Sequence, residues 1–397
     1  MCAHCIESGA ADDGRLDFTL CPGVLSVCIL IIYPRRRVRE DGRLLVMEEI
    51  GRLLTLFADT HGVSGYEGDV AELLVAELRP LMDDVTIDGM GNVVSVRHGE
   101  GPAIMLAAHM DEIGLMVKYV DEQGFLRFVP LGGWFDQMLL GQRVVVHGRD
   151  GRLTGVIGAK PPHIMEEEDR KKPVKIKDMF IDIGARDPED ATRLGVEIGS
   201  TVTMERALAP LANGLVTGKC FDDRAGVAMM VRAMQRLQGQ EVKATVYAVG
   251  TVQEEVGLKG ARTSAFGLEV DVALVSETTI PGDHPGVTKE QRHVALGKGP
   301  VITVVDADGR GVIVPKRVVD WLRGTADEAS LPYQLDVASG GTTDATAIHL
   351  TRTGIPSGVI SVATRYIHSP IEVLSLADLD QGAELIAQAV LSAHRYL

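Results

Sequence analysis

Apolar and polar positions recur along this chain at two periods, and the switches between them mark out the elements. From Met47 the segment MEEIGRLLTLFADTHG carries apolar residues at helical spacing, which predicts a helix to about residue 60, closed by His61-Gly62. Ser64-Gly65-Tyr66-Glu67 has the spacing of a capping box. It predicts Ser64 as the cap, Glu67 reaching back, and a second helix to about residue 81. Residues 86–88 and 92–96 read as short strands around the turn Gly89-Met90-Gly91. Residues 103–108 form an unbroken apolar run, as expected of a strand covered on both faces of a sheet. His109 follows at the carboxyl end, where ligand sites of open α/β sheets collect.

Between about residues 119 and 212 the texture changes. Short β-type runs (FLRFVP, RVVVHG, LTGVIG, FIDIG, STVTM) are separated by turn-rich or charged stretches, and helical periodicity is confined to about 188–194. This pattern predicts a small β-barrel or sandwich inserted into an α/β domain. From Leu215 the alternation resumes. Helices are predicted over 224–237, 314–329 and 344–351 and from 375 onward; strands are predicted over 243–252, 272–276, 334–337 and 357–362. The domain plan is therefore an extension at 1–46, a first α/β part at 47–118, the β-rich insert at 119–212 and a second α/β part at 213–397. No internal repeat or low-complexity tract interrupts it.

Composition narrows the function. The formal charge of −15 across 397 residues excludes the basic face that nucleic-acid binding needs, and aromatics at 4% argue against stacking platforms for bases or sugars. Four of the cysteines fall within the first 28 residues and only Cys220 lies in the body, so a disulfide scaffold is not expected and a reducing, cytoplasmic setting is. Cys2 and Cys5 form a CxxC that lacks a partner pair at zinc-finger spacing. The apolar run 24–33 is about half the length needed to span a bilayer, and Arg35-Arg36-Arg37 follows it, the reverse of a secretory signal. Residues 1–46 read as a disordered tail or an over-extended translation start; a targeting or anchoring segment is the alternative.

Five residues able to bind metal stand at the ends of apolar runs, in the order His109, Asp222, Glu255, Glu277 and His368. Two imidazoles and three carboxylates can hold two divalent ions if one carboxylate bridges them, and Glu254 is then spare to take a proton from an activated water. His109 with Asp111 forms an HxD pair in which Asp111 would fix the imidazole; taken alone, it also fits a strand-end histidine with satisfied hydrogen bonds. Asp222 at a strand-to-helix corner suits the bridge, with Asp223 as helix cap or outer support. Adjacent Glu254 and Glu255 would repel each other unless a cation or proton separates them. That division makes Glu255 the ligand and Glu254 the general base and later the proton donor to a leaving amine. His284, His293 and Glu372 are weaker competitors. Ser339 to Asp344 (SGGTTD) is either loop punctuation or a turn whose N–H groups face substrate. It lacks the GK[ST] of a phosphate loop, and no GxSxG, GxGxxG or catalytic cysteine context is present.

Together HMDEIG, the stretch Lys160-Pro161-Pro162-His163, IDIGA, DDRAG, VQEEVGLKGA, GGTTDA and YIHSP resemble the tetrahedral (TET-type) aminopeptidases of the glutamyl aminopeptidase and cellulase-M-like family, from about Met47 to the C-terminus. The resemblance implies a three-layer mixed-sheet di-metal exopeptidase domain carrying an inserted PDZ-like β-barrel dimerisation domain. It implies two divalent ions per subunit, zinc or cobalt, with Asp222 bridging, His109 and Glu277 on one ion, and Glu255 and His368 on the other. Glu254 becomes the base and acid, and Asp111 an orienting residue. Peptides with a free N-terminus are the implied substrates, and dimers assembling into a hollow dodecamer the implied partners, with no nucleic acid and no membrane. Glu277 departs from the family's usual Asp, which leaves the geometry of that ion open, and the N-terminal extension has no counterpart there. A di-metal N-acyl-amino-acid deacylase or carboxypeptidase is the alternative. The position of the β-rich insert, between His109 and Asp222, favours the aminopeptidase branch. A non-catalytic cage-forming scaffold is the second alternative.

Overall fold

The computed structural model describes residues 43–396, with side chains from residue 49 onward apart from Asp169. The expectations for residues 1–42, including the CxxC and the apolar run, lie outside the described residues. The first helix, Arg43–Ala58, begins four residues ahead of Met47, so the boundary drawn at 46 falls inside it.

An eleven-stranded mixed sheet forms the body. Its centre is a parallel array in which strand Ala103–His109 lies between Thr245–Thr251 and Val272–Thr279, and the latter pairs with Ser357–Arg365. These strands are buried along nearly their whole length, as their continuous apolar sequences require, which means layers cover both faces. Antiparallel strands finish both ends, with Asp84–Ile87 and Val93–Arg97 at one and Glu372–Ser375, Leu215–Gly218 and Ala209–Pro210 at the other. Helices Arg43–Ala58, Phe221–Arg236, Lys316–Glu328 and Leu376–Ser392 pack together around a shared apolar core that includes Phe57, Phe221, Met230 and Trp321.

The β-rich segment is a closed six-stranded antiparallel barrel from Gly114 to Met204, with its own core of residues such as Leu115, Phe128, Val146 and Ile181. It starts five residues before the expected boundary, because Gly114–Val120 leaves the site loop directly as a barrel strand. Among the described residues no helix is long and apolar enough to cross a membrane.

Several elements differ from the pattern reading. The capping box is not formed. The second helix is Gly68–Leu78, and Ser64 Oγ instead donates to Asp111 Oδ2 at 2.6 Å, a partner in another loop. The strand expected to stop at Ser276 runs on to Thr279, placing Glu277 inside it. Helix Lys259–Gly267 and strands Val301–Val305 and Glu372–Ser375 were not foreseen. The helix read over 344–351 is only Ala345–Ile348.

Candidate metal centre

The parallel strands carry the candidate residues to one edge of the sheet. His109 is the last residue of its strand, opposite Thr251 in the neighbouring strand, and Glu254-Glu255 follow three and four residues later. Glu277 pairs in register with Ser361, and His368 comes just beyond the end of that second strand. Asp222 stands at the start of helix Phe221–Arg236, where it and Asp223 have non-helical backbone angles and share a cis peptide bond. Cys220, Gln253, Tyr366 and His368 all have positive φ, between 46° and 64°. Non-glycine residues rarely adopt this conformation, and here they turn strand ends sharply into the site.

Asp222 lies between the two imidazoles. Its Oδ1 is 3.1 Å from His109 Nε2 and its Oδ2 is 3.5 Å from His368 Nε2. Glu255 Oε2 is 3.2 Å from His368 Nε2, while Glu277 Oε1 and Glu254 Oε2 are each 3.9 Å from His109 Nε2. The other face of the His109 ring is held by Asp111, whose carbonyl oxygen is 3.1 Å from Nδ1. Gly133, from the barrel, leaves the room His368 occupies: a Cβ there would sit 3.0 Å from His368 Nδ1.

Supporting contacts fix the backbone. Asp111, fully buried, accepts the N–H groups of Glu254 and Glu255 at 2.9 and 3.1 Å. Glu67 accepts from Gly65 N and Gln253 N, so the misread capping residues Ser64 and Glu67 both hold the loop that carries the paired glutamates. Glu372 accepts from Asp222 N at 3.0 Å and His368 N at 3.1 Å. It is therefore a backbone clamp and not one of the mutually close donors that could hold an ion. Asp223 accepts from Gly226 N and His109 N, as a cap and support. His293 hydrogen-bonds the Leu335 carbonyl and His284 that of Pro285, away from the cluster.

The electrostatics show a site built for positive charge. Burial, reinforced by neighbouring carboxylates, pushes Glu254 and Glu277 well above the ordinary carboxyl range; burial also raises Glu255. Burial raises Asp344 to about 6. For Asp222 burial acts upward too, but the hydrogen bond to His109 and the two imidazole charges outweigh it and leave it lowered. Burial acts downward on His109, yet Glu254, Asp111 and Asp222 hold it well above its usual value. Glu255 and Asp222 hold His368 up to about 9. Carboxylates crowd around two imidazoles, and Glu255 Oε1 is buried without a hydrogen-bond partner. Both features fit cation ligation: a divalent ion would separate the like charges and take the orphaned oxygen. Three sets of donors lie within 4.8 Å of one another: His109 with Glu254 and Glu255, His109 with Asp223 and Glu277, and Asp222 with Glu255 and His368. The second set contains Asp223 where Asp222 was expected. Both Asp223 oxygens already accept backbone N–H groups, whereas each Asp222 oxygen faces an imidazole, so Asp222 is the freer of the two.

Burial pushes the Cys220 thiol up to about 12, so it stays protonated near neutrality and is no nucleophile.

A profile of the M42 glutamyl aminopeptidases matches residues 91–385. The chain belongs to the M42 glutamyl aminopeptidase family. Lysyl aminopeptidase of Pyrococcus furiosus is 33% identical over 345 residues, covering 85% of this chain and 96% of its own. Among solved structures, an aminopeptidase from the archaeon Desulfurococcus kamchatkensis is 43% identical with a TM-score of 0.82, covering 88% of this chain and 95% of its own. The TET1 peptidase of Pyrococcus horikoshii, which can assemble into a tetrahedron or a large octahedral shell, is 33% identical with a TM-score of 0.78, covering 86% and 99%. The M42 match makes this chain an aminopeptidase-class hydrolase of a metal-dependent family. It also gives the mixed sheet and closed barrel the architecture of the TET aminopeptidases.

Proposed function

We propose that this chain removes N-terminal residues from peptides by a two-cation mechanism in which Glu254 is the general base and acid. The observation that carries the reading is Asp222, with one oxygen facing each imidazole, beside the unpartnered Glu255 oxygen. Two divalent ions, zinc or cobalt, would share Asp222, one held also by His109 and Glu277, the other by Glu255 and His368. When bound, such ions polarise the scissile carbonyl and lower the pKa of a water.

The rest of the chemistry belongs to the protein. Glu254, with Oε2 3.9 Å from His109 Nε2, is assigned to neither ion and is placed to take a proton from the water and return it to the leaving amine. Asp111 holds the amides of both glutamates and the His109 ring, so it keeps base and ligands in register. The cavity that these residues open into has a volume of about 590 Å³, enough for the end of a peptide.

On this reading residues 43–113 and 205–396 form the catalytic domain, and the barrel from Gly114 to Met204 a dimerisation domain that leads to a dodecameric shell in the cytoplasm. The test is hydrolysis of aminoacyl and peptide substrates with free amino groups against their N-acylated counterparts. Cleavage confined to the free-amino set supports an aminopeptidase; cleavage confined to the acylated set would make the protein a deacylase on the same residues.

A further inference from the structure

We propose that the cavity beyond the candidate ligands is a pocket for a basic side chain at the substrate's N-terminus, with Asp306 receiving its cationic head. The proposal rests on the aminopeptidase reading and deepens it to a substrate class.

Among the described residues lining the cavity, the charged groups outside the ligand cluster are Arg292, Asp306 and Asp336. Arg292 is already engaged: Nε donates to the Ile280 carbonyl at 2.8 Å, Nη2 donates to Thr279 Oγ1 at 3.0 Å, and Nη2 pairs with Asp336 at 3.2 Å. That pair is neutral. Asp306 follows strand Val301–Val305 directly and is 4% exposed. One of its oxygens, Oδ1, accepts the Val312 N–H, while Oδ2 is buried with no hydrogen-bond partner.

A buried carboxylate oxygen without a donor is unfavourable, so a ligand that brings a cationic donor would satisfy it. Leu258, Ile280 and Ile367 line the same cavity and offer apolar surface for a stem. An aliphatic stem with a cationic head is the description of Lys or Arg. An acidic side chain would have to draw Arg292 from Asp336, leaving a carboxylate that is 2% exposed without its cation. A purely aliphatic one leaves Asp306 Oδ2 as it stands.

The experiment compares lysyl and norleucyl anilides, which differ in the terminal ammonium alone, together with the glutamyl anilide, on the full-length chain loaded with zinc or cobalt. We expect kcat/KM for the lysyl substrate to exceed that for the norleucyl substrate by about 10–100-fold, the usual worth of a charged hydrogen bond in a closed site. In Asp306→Asn, which keeps an oxygen for Val312 N, that ratio should fall toward 1. A wild-type preference for the norleucyl or glutamyl substrate overturns the proposal, as does a ratio unchanged by Asp306→Asn. If the variant does not fold, the wild-type ratio decides. If no free-amino substrate is cleaved, the aminopeptidase reading fails on its own, and calorimetric binding of L-lysinamide against L-norleucinamide then judges the pocket: tighter lysinamide binding supports it and equal affinity overturns it.

Discussion

The Glu372 carboxylate accepts the backbone N–H of Asp222 at 3.0 Å, and its second oxygen takes the N–H of His368 at 3.1 Å. One buried side chain thus sets the spacing between the proposed bridge and one imidazole without touching an ion. Glu372→Gln would turn an N–H donor toward one of those amides. It should weaken metal binding by about 10–100-fold, as loss of outer support commonly does. Competition with a coloured chelator measures this, and affinity equal to wild type would show that the clamp is idle.

Glu254 lies beside the proposed ligands, with Oε2 3.9 Å from His109 Nε2, and is assigned a proton-transfer role and no ion. Glu254→Gln should lower kcat by about 10²–10⁴-fold while metal content per chain stays at the wild-type level. Near-normal turnover would remove Glu254 from its role, and loss of metal would make it a ligand.

His61 and His147 stack with ring centroids 3.5 Å apart where the loop after the first helix meets the barrel. Burial holds both below the ordinary 6.5, to about 4 for His61 and about 3 for His147. Unfolded, they take up protons near pH 6.5; folded, only below about 4. The pair therefore costs no stability above pH 6.5 and progressively more as pH falls toward 4. Thermal melts at pH 7.5 and 5 should show a smaller acid-induced drop for His147→Phe than for wild type. Equal drops would contradict the assignment.

Arg224 is fully buried and donates to the carbonyls of Phe57, Thr60 and Gly62, beside the Lys219–Glu112 pair at 2.7 Å. Arg224→Met should cost about 3 kcal/mol or more, because these carbonyls lose their donor and Glu112 loses one of two cations. Urea unfolding measures it, and a cost below about 1 kcal/mol would show that water or rearrangement replaces the guanidinium.

The candidate cluster was legible because His109, Glu254, Glu255 and His368 follow apolar runs, and the parallel strands that carry His109 and Glu277 bring them to one edge. The barrel was legible from its short β-type runs. Its first strand was not bounded correctly, because Gly114–Val120 continues from the site loop without a turn signal. Glu372 was read only as a rival ligand, since a carboxylate that accepts backbone N–H groups from distant residues leaves no local pattern. Ser64 and Glu67 had the right spacing for a cap, but Asp111 and Gln253 offered stronger tertiary partners. Helix Lys259–Gly267 has too few large apolar residues to show a period, and packing of its small residues decides it.

On the proposed mechanism Asp222 joins two divalent ions. Elemental analysis of the purified protein after zinc or cobalt loading and desalting tests it most directly, run beside Asp222→Asn. About two ions per chain are expected in the wild type and fewer than one in the variant; one ion or none in the wild type, or two retained without the Asp222 carboxylate, would contradict the bridging role.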